Sequence, residues 1–185
     1  MTLSKALLPS ASILSKAFLV LGGTALIAAA SQVQVPMIPV PMTLQTLAVL
    51  LVGLTLGARM GAATLIAYLA EGAAGLPVFA GGANGAAIFG PTAGFLFGFV
   101  GMAWIAGLAV DRGIRGFVPT TLVALLASAA LYLPGLAWPA ITMGVPMDTL
   151  LSGWALPFLV GDVVKAVLAA LVVTGGWAML AGRKA

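Results

Sequence analysis

The chain has 185 residues, 62% of them hydrophobic and 6% charged, with a mean hydropathy of +1.20. A soluble globular domain is about 25% charged, so the composition excludes one and predicts a protein built into a membrane. With no cysteine and no histidine, thiol catalysis, disulfide bridges, haem or zinc ligation by those side chains and histidine proton relays are excluded as well.

In chain order, six apolar stretches separated by Gly/Pro-rich or charged breaks are predicted at about residues 16–31, 43–58, 60–76, 92–110, 117–136 and 155–181. Each approaches the ~20 residues that cross a ~30 Å hydrocarbon core at 1.5 Å rise per residue. The second and third share only the break "LGARMG" and read as a tight hairpin of two spans. The expected fold is all-α, a single bundle of six transmembrane helices forming one domain over residues 1–185, with no linker or low-complexity tract.

The net charge of +4 and pI near 10.0 would suggest a nucleic-acid partner in a soluble protein. Here the placement of the charges matters more, and no nucleic acid is expected. Lys5 and Lys16 precede the first span, Arg59 lies between the second and third, Arg112 and Arg115 between the fourth and fifth, and Arg183 and Lys184 follow the sixth. All fall on one side of a six-span arrangement, while the opposite loops, 32–42, 77–91 and 137–152, carry no Lys or Arg. Basic loops stay in the cytoplasm, so both termini are expected there, in a multi-pass protein of a bacterial-type cytoplasmic membrane. Residues 1–31, two lysines and an apolar run ending in "AAASQ", also resemble a secretory signal. Its removal would leave the other five spans oriented the same way.

Small residues recur at four-residue spacing: Ala25 with Ala29, Gly53 with Gly57, Gly94 with Gly98 and Ala103 with Gly107. Such pairs share a helix face and let backbones approach closely, within the bundle or, for the first-span pair, against a second membrane protein. The outside segment "VQVPMIPVPMTLQT" is proline-rich and must be extended. The longer "GLPVFAGGANGAAIFGPTAG" is apolar and glycine-rich at once, with Asn84 and two aromatics, Phe79 and Phe89. It reads either as a lid folded over the bundle or as an interfacial loop with its aromatics at the headgroups.

A charge in mid-span costs ~2.5–3.5 kcal/mol on insertion scales, which makes it a functional-site hypothesis. In "FLVGDVVKAVLA", Asp162 and Lys165 stand three residues apart on one helix face, about 10 and 15 Å below the outside end of the sixth span. Two readings stand side by side. The pair neutralises itself as an internal ion pair, or it faces a cavity where the ammonium receives an anionic group and the carboxylate accepts N–H donors. Tyr68 and Glu71, three apart on the third span, would join that cavity from another wall, although Glu71 equally reaches the outer interface. Thr43 and Gln45 offer hydroxyl and amide groups at the same level, with helix capping as the plainer role for Thr43. The implied ligand is small, with a carboxylate-like end, a polar hydrogen-bonding end and an apolar remainder.

The residues "VPMTLQTLAVLLVGLTLGARMGAATLIAYL", "GLPVFAGGANGAAIFGPTAGFLFGF" and "GDVVKA" resemble the BioY family, over about residues 36–170. These are the biotin-binding membrane subunits, or S components, of energy-coupling factor (ECF) transporters. The resemblance implies a six-helix bundle that captures biotin from outside and delivers it inward, without enzymatic chemistry and without a cofactor. It implies Asn84, Asp162 and Lys165 as binding residues. The biotin ureido ring would suit Asp162 and its valerate carboxylate Lys165, or the two in the opposite sense. Phe95 stands where the family pattern leads one to expect an aromatic, often Tyr, so an aromatic surface remains without the hydroxyl. The expected partners are a membrane coupling subunit, docked partly through Ala25 and Ala29, and two cytoplasmic ATPases. No G-x-x-x-x-G-K-[ST] loop is present, so ATP hydrolysis would belong to a partner. The alternatives are a stand-alone ion-coupled carrier for biotin or a similar carboxylate vitamin, an intramembrane enzyme using the buried acid and amine, and a purely structural subunit.

Overall fold

A computed structural model describes residues 2–3, 12–38 and 40–182. Lys5, Arg183 and Lys184 of the charge pattern lie outside the described residues. Among the described residues six helices of 12 residues or more carry the fold: α1 (Ile13–Gln32), α2 (Gln45–Leu56), α3 (Ala58–Ala73), α4 (Ala93–Asp111), α5 (Phe117–Met143) and α6 (Leu159–Gly182). By length and composition α1, α4, α5 and the stretch Met147–Leu180 suffice to cross a membrane. The protein is mostly helical with several apolar spans, as the composition predicts.

The core forms where α2 and α4 meet. The 12 residues of α2 span only ~18 Å at 1.5 Å per residue, and eight of them are buried, from Gln45 through Leu50 and Leu54 to Leu56. A helix buried on all sides needs apolar residues on all sides, and α2 supplies them. It packs on α1, α3, α4 and α6, while α4 packs on α2, α3 and α5. Small residues set the spacing: a Cβ on Gly53 would stand 2.5 Å from the Ala103 carbonyl oxygen, and one on Gly107 or Gly94 would overlap the backbone at Ala58 or Pro134. Three of the four small-residue pairs thus pack inside the bundle. Ala25 and Ala29 instead lie exposed on the outer face of α1.

The hairpin between α2 and α3 is tighter than the expected break. It turns on Gly57 alone, at φ +84°, a region only glycine enters freely. The carboxylate of Asp111, at the far end of α4, accepts the Ala58 N–H at 2.9 Å and satisfies a donor that α3 leaves open at its start. Exposed Arg59, Arg112 and Arg115 gather at this end of the bundle, and the Arg115 guanidinium lies 4.1 Å from the centre of the Trp177 ring on α6.

At the opposite end the structure departs from expectation twice. The fifth helix runs seven residues past 136, through Pro134 and Pro139, to Met143. In an apolar medium a helix still pairs more backbone groups than a loop does, so prolines are carried inside it. The expected loop 137–152 is correspondingly short, and Met147–Leu150, a five-residue π segment Leu151–Ala155 and a 3-10 turn Leu156–Phe158 lead into α6. Regular helix therefore begins at Leu159, later than the expected 155. The proline-rich segment is extended as expected and closes a two-residue antiparallel ladder, Gln34 opposite Thr43 and Val35 opposite Met42. The glycine-rich segment folds into two 3-10 turns, Ala80–Gly82 and Gly85–Phe89.

Candidate functional site

A cavity of about 240 Å³ opens among α2, α4, α5, α6 and the segment between α3 and α4. Small-ligand sites typically run ~300–1,000 Å³, so the space suits a small molecule. Its apolar walls are Phe79, Phe95, Leu96, Phe99, Leu131, Trp154 and Phe158. Its polar groups are Thr43, Gln45, Thr46, Thr92, Tyr132, Asp162 and Lys165.

Asp162 and Lys165 face this space together, exposed by 8% and 6%. The Lys165 Nζ lies 3.7 Å from Asp162 Oδ1, beyond the ~2.7–2.9 Å of a charge-assisted hydrogen bond. The other carboxylate oxygen, Oδ2, accepts the Tyr132 hydroxyl at 2.5 Å. Sequence reasoning missed Tyr132, although it is one of two tyrosines in the chain and a phenol in mid-span demands a partner. Thr46 was missed too; its buried hydroxyl lines the cavity beside the Asp162 carboxylate, without a hydrogen bond of full geometry. Trp154 and Phe158 reach the wall only through the π and 3-10 turns, which no residue pattern announces.

Gln45 and Phe95, named from sequence, line the cavity with Asp162 and Lys165. Thr43 lines it and also accepts the Gln45 N–H at 3.2 Å while donating to Gln45 Oε1 at 3.0 Å; the N-cap of α2 is Leu44, which offers no side-chain cap, so Thr43 makes a local turn just before the helix rather than capping it. Tyr68 stands one layer behind, not in the wall: its hydroxyl accepts Gln45 Nε2 at 2.9 Å and donates to the Val78 carbonyl at 2.8 Å. Glu71 is half-buried and outside the wall. Asn84 is exposed, although its neighbours Ala83 and Ala87 line the cavity. Of the two loop aromatics, Phe79 is 1% exposed and in the wall, whereas Phe89 is 83% exposed. One segment thus acts as both cavity wall and outer surface. The wall carries no hydroxyl at 95, but Tyr132 sets one beside that ring, edge to face with centroids 6.1 Å apart.

The model of the BioY family matches residues 4–182. This chain belongs to the BioY family. Among curated relatives, the biotin transporter BioY of Rhizobium etli is 41% identical over 144 residues, 73% of this chain and 76% of that one. The probable biotin transporter BioY of Pyrococcus horikoshii is 40% identical over 149 residues, 80% and 87% of the two chains. The crystal structure of the S-component for biotin from an ECF-type ABC transporter superposes with a TM-score of 0.77, at 24% identity, over 89% of this chain and 93% of that one. The BioY fold is therefore shared at the level of the whole bundle.

Proposed function

We propose that this BioY family member captures biotin and carries it into the cell as the substrate-binding subunit of an ECF-type transporter. The observation that carries the reading is the Asp162–Lys165 pair facing a small aromatic cavity, in a chain whose relatives are named biotin transporters. Biotin supplies a ureido ring with N–H donors and a carbonyl, a flat apolar bicycle and a carboxylate at the end of a methylene chain. With only 3.7 Å between them, the carboxylate and ammonium meet one end of such a ligand rather than its two distant ends. Asp162 Oδ1 accepts a ureido N–H and Lys165 donates to the ureido carbonyl, while Phe79, Phe95 and Trp154 cover the bicycle. The valerate then points toward Gln45 and Thr43. Tyr68 holds Gln45 from behind, and Asn84 and Glu71 act from the rim, where an entering ligand passes first.

In this reading residues 1–185 form one membrane unit of six spans, with the exposed Arg59, Arg112 and Arg115 and both termini on the cytoplasmic side of the cytoplasmic membrane. The cavity then opens outward. Ala25 and Ala29, exposed on α1, provide the close-approach face for a coupling subunit that works with two ATPases. A stand-alone ion-coupled carrier predicts uptake that stops when the ion gradient is dissipated and continues without the ATPases.

Equilibrium binding of radiolabelled biotin to the purified protein in detergent tests the site, beside Asp162→Asn and Lys165→Met. Tight binding lost in both variants is expected. Unchanged binding in both would make the charges a structural ion pair, and no binding by the unaltered protein would remove biotin as the ligand.

A further inference from the structure

The outer end of α1 reaches into the construction of the cavity. Along α1 the buried residues are Gly23, Thr24, Ile27 and Ser31, and three of these, at four-residue intervals, form one face. Ser31, fully buried at the last turn, is where that face ends. Its hydroxyl lies 2.9 Å from the Val78 carbonyl and 2.6 Å from the Ala28 carbonyl on its own helix. The next residue, Gln32, sends its side-chain amide to the Phe79 carbonyl at 3.0 Å and to Ser31 Oγ at 2.7 Å.

Both carbonyls are thereby engaged twice. Val78 accepts Tyr68 from α3 and shares the single Ser31 hydroxyl proton with the Ala28 carbonyl, and Phe79 accepts Gln32 from α1 and the N–H of Gly82 from its own turn. Between them they fix the one loop aromatic that lines the cavity. The Phe79 ring meets Tyr68 edge on, with centroids 5.3 Å apart, and occupies the space a side chain on Gly72 would fill. One set of anchors comes from α3 and the other from α1, where four of twenty residues are buried. Local side-chain bonds to the preceding turn are common for Ser in helices; contacts 47 residues away are not local and serve the tertiary structure.

We propose that Ser31 and Gln32 are positioning residues for the cavity, holding the wall segment Val78–Phe79 in place from α1 and thereby slowing ligand release. The ligand-release half of this rests on the reading of the cavity as a biotin site. The wall half does not. Any displacement of the outer end of α1, as when another membrane protein packs against it, withdraws two donors from the wall without touching the ligand.

The test uses the full chain in detergent with Ser31→Ala/Gln32→Leu, and with Gln32→Leu alone, which alters an exposed side chain and spares the packing. Two quantities are measured: hydrogen exchange at residues 78–83 in the ligand-free protein, and the release rate of radiolabelled biotin. Both are expected to rise roughly tenfold in the double variant and by a smaller factor in the single one, the scale of one or two lost hydrogen bonds. Thr24→Val serves as control, since that hydroxyl bonds the Leu21 carbonyl within α1 at 3.0 Å, and it should leave both quantities unchanged. Unchanged exchange at 78–83 overturns the proposal, as does an equal rise in Thr24→Val, which would mean a general loosening of α1. Faster exchange with unchanged release overturns the link to the ligand. Faster exchange in a protein that never retains biotin upholds the wall anchor and rejects biotin instead.

Discussion

Tyr132 on α5 and Asp162 on α6 are joined by a 2.5 Å hydrogen bond, from a phenol to the carboxylate oxygen that Lys165 leaves free. The bond orients the carboxylate so that Oδ1 faces Lys165 and the cavity. Tyr132→Phe is expected to weaken biotin binding by roughly tenfold to a hundredfold, the range for a lost hydrogen bond to a charged group. Calorimetric titration measures it, and an unchanged affinity would mean that the hydroxyl does not position Asp162.

The buried charges give a second prediction, on stability. Removing one partner of a buried pair typically costs ~3–5 kcal/mol, whereas replacing both by apolar residues is often neutral or stabilising. Lys165→Met alone should therefore lower the thermal midpoint in detergent, and Asp162→Leu/Lys165→Met should recover it while still failing to bind biotin. A double variant as unstable as the single would show that the pair itself stabilises the fold.

The two aromatics of the glycine-rich segment should behave oppositely. Phe79→Ala empties a site 1% exposed, at a cost of about 3–5 kcal/mol, and removes a cavity wall. Phe89→Ala alters a residue 83% exposed and should change neither stability nor binding. Equal effects on ligand affinity would contradict the division of this segment into inner and outer halves.

At the other end of the bundle, Asp111→Ala removes the acceptor for the Ala58 N–H. A lost cap costs about 0.5–2 kcal/mol, so the melting temperature should fall while biotin affinity stays within error. A large loss of affinity would reveal coupling between the ends of the bundle.

The fold and part of the site were legible because the bilayer imposes simple rules. Lengths of apolar sequence, the loop arginines and the cost of mid-span charge marked the helices and brought attention to Asp162 and Lys165. Gln45 could be placed beside them because it stands at the start of α2, whereas Phe95 was indicated only by the family resemblance. The helix ends were less legible. Proline ordinarily ends a helix in water, yet α5 continues through Pro134 and Pro139, where surrounding hydrocarbon makes unpaired backbone costlier than a locally weakened helix.

Sequence by itself determined that this is a helical membrane protein, which family it resembles, and that one late helix carries a buried acid and base, because composition and spacing act within single segments. Only the tertiary structure decided that Tyr132 bonds the acid, that Glu71 lies outside the cavity wall, that Tyr68 stands behind it, that Asn84 is exposed, and that α1 reaches Val78 and Phe79. Those relations join residues 10 to 47 positions apart. They depend on how helices rotate and how closely glycine-lined faces approach, which no local pattern encodes.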